Sequence, residues 1–515
     1  MTVCGACFHR KCAPPCVSDL PCGGAFAGCV EHNNGMTVFS AEFVHELLAR
    51  VDALTKEVAS LRAELADAKA ALMASEARVA ELEAENRELK AAARLSSRNS
   101  SLPPSKDGPG APPRSQRRPS GRKPGGQVGH EGVTLAMVDE PDHVQEHRPS
   151  SCAACEHPLA SDGTVVGVQR RQVFDLPEVT VRVTEHRLAS VVCPGCQNVT
   201  KASGPQHASR QVQYGPGVAA IASYLVAYQH MPYQRAAHLL SDLLGTPMST
   251  GTVVALHEGL AQHVAETFEP VAADLIAAAP VAHVDETGFK IGGALQWVHS
   301  ISTPTTTWLA RHARRGKDAT DHIGILPRFT GVLVHDAWAP YDKHHTTAGH
   351  QLCCAHLLRE LQAVTDNHNH QGGAWCWAEQ VAHAIRTAIT DRSQEPEARH
   401  LITAAIHTAE RLDPDLGGRL GKKSAALRKR LTARIDDYLR FTTDPTIPAT
   451  NNEAEQQIRM VKIKAKITGG MRTETGANHF LTLRSYLATA RKHTIQPLDA
   501  LRAAAHGNTW LPATP

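Results

Sequence analysis

The chain is 515 residues long, which at about 150 residues per domain corresponds to three to four domains. Hydrophobic residues make up 42% of it, which excludes a wholly disordered or fibrous chain. No apolar run nears the roughly 18 residues of a membrane span, and the opening MTVCGACFHRKC lacks an apolar signal region; a soluble cytoplasmic protein without a membrane partner is the expectation. Lys and Arg number 54 against 51 Asp and Glu, so the net charge of +3 excludes nothing until its distribution is read.

The first thirty residues hold six of the thirteen cysteines, Cys4, Cys7, Cys12, Cys16, Cys22 and Cys29. Residues 1–35 read either as a small metal knuckle or as upstream reading frame ahead of a true start at Met36, and the second reading is favoured. From Val44 to Leu89 a heptad runs unbroken. Val44, Val51, Val58, Leu65, Leu72, Val79 and Asn86 take a; Leu47, Leu54, Leu61, Ala68, Ser75, Leu82 and Leu89 take d. β-Branched a residues with Leu at d, and one polar a residue to fix register, predict a two-stranded parallel coiled coil over 40–93 rather than a helix packed within the chain. Residues 42–93 are acidic, with eleven Asp or Glu against seven Lys or Arg.

Residues 94–135 are rich in Ser, Pro and Gly and predict a flexible linker. Between Arg94 and Lys123 stand eight Lys or Arg and one acid, Asp107. Such an arm, with Arg117, Arg118, Arg122 and Lys123 at its centre, either lies on nucleic-acid phosphate or is merely solvated. Two CxxC pairs follow, Cys152/Cys155 and Cys193/Cys196. Two thiolates spaced by two residues can turn to one ion, and a second pair completes a tetrahedral site, so 145–200 predicts a zinc ribbon; a redox pair is the weaker alternative. Between the pairs, VFDLPEVTVRVTEHRLASVVC alternates as short strands would. Residues 205–275 are predicted helical, with a Gly-Thr-Pro break and Ser249 capping a second helix; a helix-turn-helix and plain helical packing remain equally open.

APVAHVDETGFKI predicts a buried strand ending on Asp285 and Glu286. LQWVHSIST and TTTWLARHA predict two more strands, and GVLVHDAWAPYDKH another that runs into Asp336. Two such carboxylates at one sheet edge mark a candidate site. A mainly helical stretch, about 355–440, precedes a helix starting near Asn452 with Glu453 and Glu455 at its beginning. From Gln456 to Ile495 there are eight Lys or Arg (Arg459, Lys462, Lys464, Lys466, Arg472, Arg484, Arg491, Lys492) and one acid, Glu474. Carboxylates beside so basic a stretch suit a metal-dependent enzyme acting on a polyphosphate backbone.

The ordered series of a leucine-rich coil, SRNSSLPPSKD, RKPGGQVGHEG, the CxxC…CPxC ribbon, VDETGF, HDAWAPYD, CCAHLLRELQ and NNEAEQQIRMVKIKAKITGGMRT resembles the DDE transposases of the IS66 family over about residues 40–505. The resemblance implies a multidomain α+β chain whose catalytic core, 278–500, is RNase H-like α/β with a helical insertion at about 365–440. It implies that Asp285, Asp336 and Glu455 bind two Mg²⁺ or Mn²⁺ ions and carry DNA cleavage and strand transfer at terminal inverted repeats, with zinc in the ribbon. Gln456 stands where the family usually has Arg, and Glu453 takes the variable position. The resemblance further points Arg359 and His356 at phosphate near the site; Cys353 and Cys354 read as buried small residues. Arg459, Lys462, Lys464, Lys466 and Arg472 complete the expected DNA contacts. The partners implied are transposon ends and target DNA, a second copy of the chain through the coil, and accessory proteins of the same element, in the bacterial cytoplasm and at the nucleoid when on DNA. The competing reading is a dimeric zinc-ribbon DNA-binding protein without catalysis, which gives no reason for the acid triad.

Overall fold

The structure is a computed structural model that describes residues 31–33, 36–38, 40–100, 107, 129, 132, 134–176, 179–205, 208–369, 375–412 and 418–513. The six N-terminal cysteines and Arg117, Arg118, Arg122 and Lys123 lie outside the described residues. Two compact units are present, Met1–Lys90 and Ala91–Pro515. Among the described residues no helix is long and apolar enough to cross a membrane.

In the first unit β1 (Glu31–Asn33) and β2 (Met36–Val38) pair antiparallel. There α1 (Ala41–Ala93) begins, with Ser40 Oγ accepting from the Phe43 N–H at 3.2 Å. Its apolar heptad residues, from Val44 to Leu89, are 42–63% exposed.

In the second unit, residues 94–100 depart from the expected flexible linker. Asn99 Nδ2 donates to Asp366 Oδ2 at 2.9 Å and to Arg94 O at 3.2 Å, and the Ser97 N–H donates to Asp107 Oδ1 at 2.7 Å. Short polar side chains that bond to nearby backbone make a turn where composition alone reads as loop. The CxxC region contains β3 (Ser190–Val192) and β4 (Val199–Lys201), paired antiparallel. The longer alternating stretch before β3 forms no further strand among the described residues. Val173, Leu176 and Val183 are 89%, 84% and 88% exposed, so alternation there has no face to bury and recruits no partner.

Next come α2 (Pro216–Ser223), which continues into a π-turn over Tyr224–Tyr228, α3 (Tyr233–Leu244) and α4 (Thr250–Ala277). Gly245, at φ +63°, ends α3, and Ser249 Oγ accepts from the Thr252 N–H at 3.0 Å to cap α4, as its sequence predicts. Helically spaced Leu260, Val264, Phe268 and Ala272 of α4 are buried.

One mixed sheet follows, built from β5 (Val281–Ile291), β6 (Ala294–Ser302), β7 (Thr307–His312), then, after α5 (Lys317–Ile323), β8 (Val332–His335) and β9 (Gly349–Leu352). Its order is β7-β6-β5-β8-β9. The first three form an antiparallel meander, and β8 and β9 run parallel to β5. The first strand does not end on Asp285 and Glu286: it continues to Ile291, because Gly292 and Gly293, at φ +58° and +83°, turn it into a hairpin with β6. Helices α6 (Cys354–Asn369), α7 (Trp377–Thr390), α8 (Glu395–Leu412), α9 (Gly418–Ala433) and α10 (Ile435–Leu439) share a core with β8 and β9 through Val334, Leu352, Leu357, Ile385 and Ile406.

The chain then returns through α11 (Asn452–Thr468), α12 (Glu474–Lys492) and α13 (Pro497–Ala505). Helix α12 is fastened to β7 by two hydroxyls: the Leu309 N–H donates to Ser485 Oγ at 2.8 Å and the Thr307 N–H to Thr489 Oγ1 at 3.0 Å. Between α11 and α12, Met471 bonds β5 twice, accepting from the Gly292 N–H at 2.9 Å and donating to Lys290 O at 3.0 Å. Gly470, at φ +129°, allows this approach, since a Cβ there would stand 2.6 Å from the Lys290 carbonyl oxygen.

Candidate functional site

The parallel register between β5 and β8 is Val281↔Val332, Ala282↔Leu333 and His283↔Val334. Continued two residues, it sets Asp285 beside Asp336, at the point where β8 stops and β5 goes on. Side chains alternate along a strand, so these two leave one face of the sheet and Glu286 leaves the other. Asp285 Oδ1 accepts from the Glu286 N–H at 2.9 Å, and Asp336 Oδ1 accepts from the Trp338 N–H at 3.1 Å. Ala337, between Asp336 and Trp338, has φ +70°, a left-handed conformation for a residue with a Cβ. Burial, and then the charges of Glu286, Asp336 and Glu455, push Asp285 up to about 8. Burial raises Asp336 as well.

The third acid arrives through α11. Asn451, at its N-terminus, does not cap the helix with its side chain. Instead Nδ2 donates to Val284 O at 2.6 Å, Oδ1 lies 3.1 Å from His283 Nδ1, and the Asn451 N–H reaches Cys353 Sγ at 3.2 Å. The start of α11 is thus tied to the residues just before Asp285. Of its two acids, Glu453 turns to Lys492, 2.8 Å away, and to Ser302 Oγ at 3.3 Å. Glu455 has Oε1 3.6 Å from His356 Nδ1, and Cys353, His356 and Glu455 present their ligand atoms within 4.8 Å of one another. Cys353 and Cys354 are buried, 1% and 0% exposed, and burial raises both thiols, Cys353 to about 11.

Glu286 is the acid that sequence reasoning left without a role. Arg315 Nε donates to its Oε1 at 2.8 Å, and the Tyr341 hydroxyl donates to its Oε2. The Arg315 guanidinium lies 4.3 Å from the Trp338 ring centre and 4.9 Å from that of Trp297. No local signal marks Arg315, because it follows β7 and meets Glu286 only through the sheet order.

The basic stretch divides by helix face. Arg459, Lys462 and Lys466, spaced three and four apart on α11, are exposed, and so is Arg472. Lys464 departs from its expected DNA contact: it is 1% exposed, its Nζ donates to His230 O at 3.4 Å and Met231 O at 3.3 Å, and it lies over the Phe480 and Tyr233 rings at 5.6 and 6.0 Å. Burial lowers its ammonium to about 8. Arg484 is likewise interior, 5% exposed beside Tyr228, and Lys492 is committed to Glu453. Arg359, expected at phosphate near the site, stands on α6 one turn beyond His356 and is 9% exposed.

The CxxC pairs fold alike. The Cys152 N–H donates to His157 O at 2.9 Å and the Glu156 N–H to Cys152 O at 2.8 Å; Cys193 with Asn198 O, and Gln197 with Cys193 O, repeat both bonds at 2.9 and 2.8 Å. Glu156 and Gln197 each have φ +60°. Backbone N–H groups of Ala154 and Cys155 lower the Cys152 thiol, and those of Cys196 and Gly195 lower that of Cys193. Thiols so poised are the donors a zinc ion takes, and with Cys155 and Cys196 they make a set of four sulfurs that fits the ion. Among the described residues each pair is formed separately; the four sulfurs do not lie within 4.8 Å of one another.

With this geometry in view, residues 211–479 match the transposase IS66 family, residues 149–197 match the zinc-finger binding domain of transposase IS66, and residues 46–136 match a family of unknown function, DUF6444. The matched class is one of DNA-processing enzymes with a zinc-binding module. The first match spans more than half of the sequence, and the chain belongs to the IS66 family of transposases. No curated protein matches the chain.

Proposed function

We propose that the protein cleaves and joins DNA at the terminal inverted repeats of an insertion sequence, with Asp285, Asp336 and Glu455 holding two Mg²⁺ or Mn²⁺ ions. The observation that carries this reading is the pairing of Asp285 with Asp336 across the β5–β8 register, both buried, with Glu455 near enough that its charge, after burial and the charges of Glu286 and Asp336, helps push Asp285 up to about 8. Clustered negative charge in a desolvated place is unfavourable unless cations meet it, and hard oxygen donors suit these ions. When bound, such ions activate water or a 3′-hydroxyl and stabilise the leaving oxygen. The chain's own part is to fix the donors. The β5–β8 register aligns Asp285 with Asp336, Asn451 fastens α11 beside them, and His356 steadies Glu455. Arg459, Lys462, Lys466 and Arg472 then neutralise backbone phosphates from the exposed side.

In the same reading the mixed sheet and its helices, 278–500, are an RNase H-like core, and α7 to α9 belong to its helical insertion. The exposed heptad of α1 pairs with that of a second copy as a coiled coil, because an apolar stripe this long does not stay in water unpartnered. The basic residues that follow the 94–100 turn lie on DNA, 145–200 form a zinc ribbon, and 205–275 a helical module between ribbon and core. Asp285→Asn tests the central claim. It should cut Mg²⁺-dependent strand transfer at least 100-fold, about 3 kcal/mol, while end binding stays within about twofold. Undiminished transfer would remove Asp285 from the site.

A further inference from the structure

Behind Asp336, on the opposite face of β8, lies a second group of potential ligands that this function does not use. His335 Nε2 is 3.1 Å from His350 Nδ1 and 3.8 Å from Asp342 Oδ1, and the three ligand atoms all fall within 4.8 Å of one another. A tetrahedral ion with bonds of about 2.0–2.1 Å sets its ligand atoms about 3.3–3.4 Å apart, a spacing that the two measured distances bracket. His335 is 0% exposed, so its ring is fixed by packing, with Tyr341 edge-on at 5.3 Å. Asp342 is oriented from behind: Arg434 donates to its Oδ2 at 2.8 Å. Its Oδ1 is buried and meets no hydrogen-bond donor among the described residues, and it faces the two imidazoles. Two imidazoles and one carboxylate, the latter held from behind by Arg434, are a donor set for a borderline divalent ion rather than for Mg²⁺.

We propose that His335, Asp342 and His350 form a second zinc site, distinct from the cysteine ribbon, that ties β8, β9 and the turn following Asp336 together. The three ligands come from three places: His335 from the end of β8, His350 from β9, and Asp342 from the short 3₁₀ turn Ala339–Lys343. One ion would therefore hold the segment that carries Asp336 from its far side, and would brace the left-handed Ala337. The alternative for the same residues is a hydrogen-bonded His–His–Asp chain without metal.

Metal content of the purified full-length protein, loaded with Zn²⁺ and dialysed against metal-free buffer, separates the two. Two zinc ions per chain are expected in the wild type. One is expected in His350→Gln, and one in Cys152→Ser/Cys193→Ser. Asp342→Asn, half-exposed and still able to meet Arg434, provides a milder second variant and should also retain only one, with an unchanged circular dichroism spectrum. Cobalt loading of the cysteine double variant should leave visible d–d bands without thiolate charge transfer. A wild type that holds a single zinc, lost entirely in the cysteine variant, would overturn the proposal. So would two ions retained in both His350→Gln and Asp342→Asn.

Discussion

Replacing Lys464 with Met separates interior packing from DNA contact, because it keeps the length of the side chain and removes its charge. Burial takes this ammonium from 10.5 to about 8, a difference worth about 3 kcal/mol at roughly 1.36 kcal/mol per pH unit. Below pH 8 the amine is protonated in both folded and unfolded chains, so the whole cost is present. Between 8 and 10.5 the folded chain has released the proton that the unfolded chain keeps, and the cost disappears as pH rises. Met relinquishes two long hydrogen bonds to the carbonyls of His230 and Met231, at about 1 kcal/mol each. The variant should therefore be more stable than wild type by about 1 kcal/mol at pH 7 and less stable by about 2 kcal/mol near pH 10.5. Urea unfolding followed by tryptophan fluorescence reads this difference. Binding to duplex DNA should keep its salt dependence, because a lost phosphate contact would lower the slope of log K against log salt by about 0.9. A variant destabilised by more than 1 kcal/mol at pH 7 and flat with pH, or one with a reduced salt slope, would refute the assignment.

Lys492→Met leaves Glu453 without its partner in a largely buried place and should cost about 3 kcal/mol in urea unfolding. Equal stability would mean that the pair contributes nothing. Cys193→Ser should lower the zinc content of the purified chain by one ion and unfold the ribbon, and an unchanged content would take Cys193 out of that site. Deleting residues 36–93 should reduce the sedimenting mass from dimer to monomer, whereas an unaltered profile would assign self-association elsewhere.

Features set by local spacing were legible in the sequence. The α1 heptad, the CxxC knuckles and the Ser249 cap each depend on residues within a turn or two of one another. The acids of the candidate site were legible as residues, through motif order, and their neighbourhood was partly so. That Asp285 lies in mid-strand follows from the Gly292–Gly293 hairpin, which extends β5 past the acid and past the end of β8. Charge sums were the poorest guide. Lys464, Arg484 and Lys492 count as basic in any window, yet their directions are set by how α11 and α12 pack against each other and their neighbours, which no stretch of either helix announces. Arg315 and Glu286 meet because β5, β6 and β7 are adjacent, a fact of topology rather than of composition.

The two attachments of α11 to β5 have a consequence for how the site is encoded. At one end Asn451 bonds to His283 and Val284; at the other Met471 bonds to Lys290 and Gly292. The helix is therefore gauged against the strand like a rule clamped at both ends. One residue added within it would lengthen it by about 1.5 Å and turn everything beyond by about 100°, so one clamp would have to give way. The place of Glu455 is thus written in the number of residues between two fastenings as much as in the identity of the acid. Point substitution can test the acid, and only insertion or deletion can test the gauge.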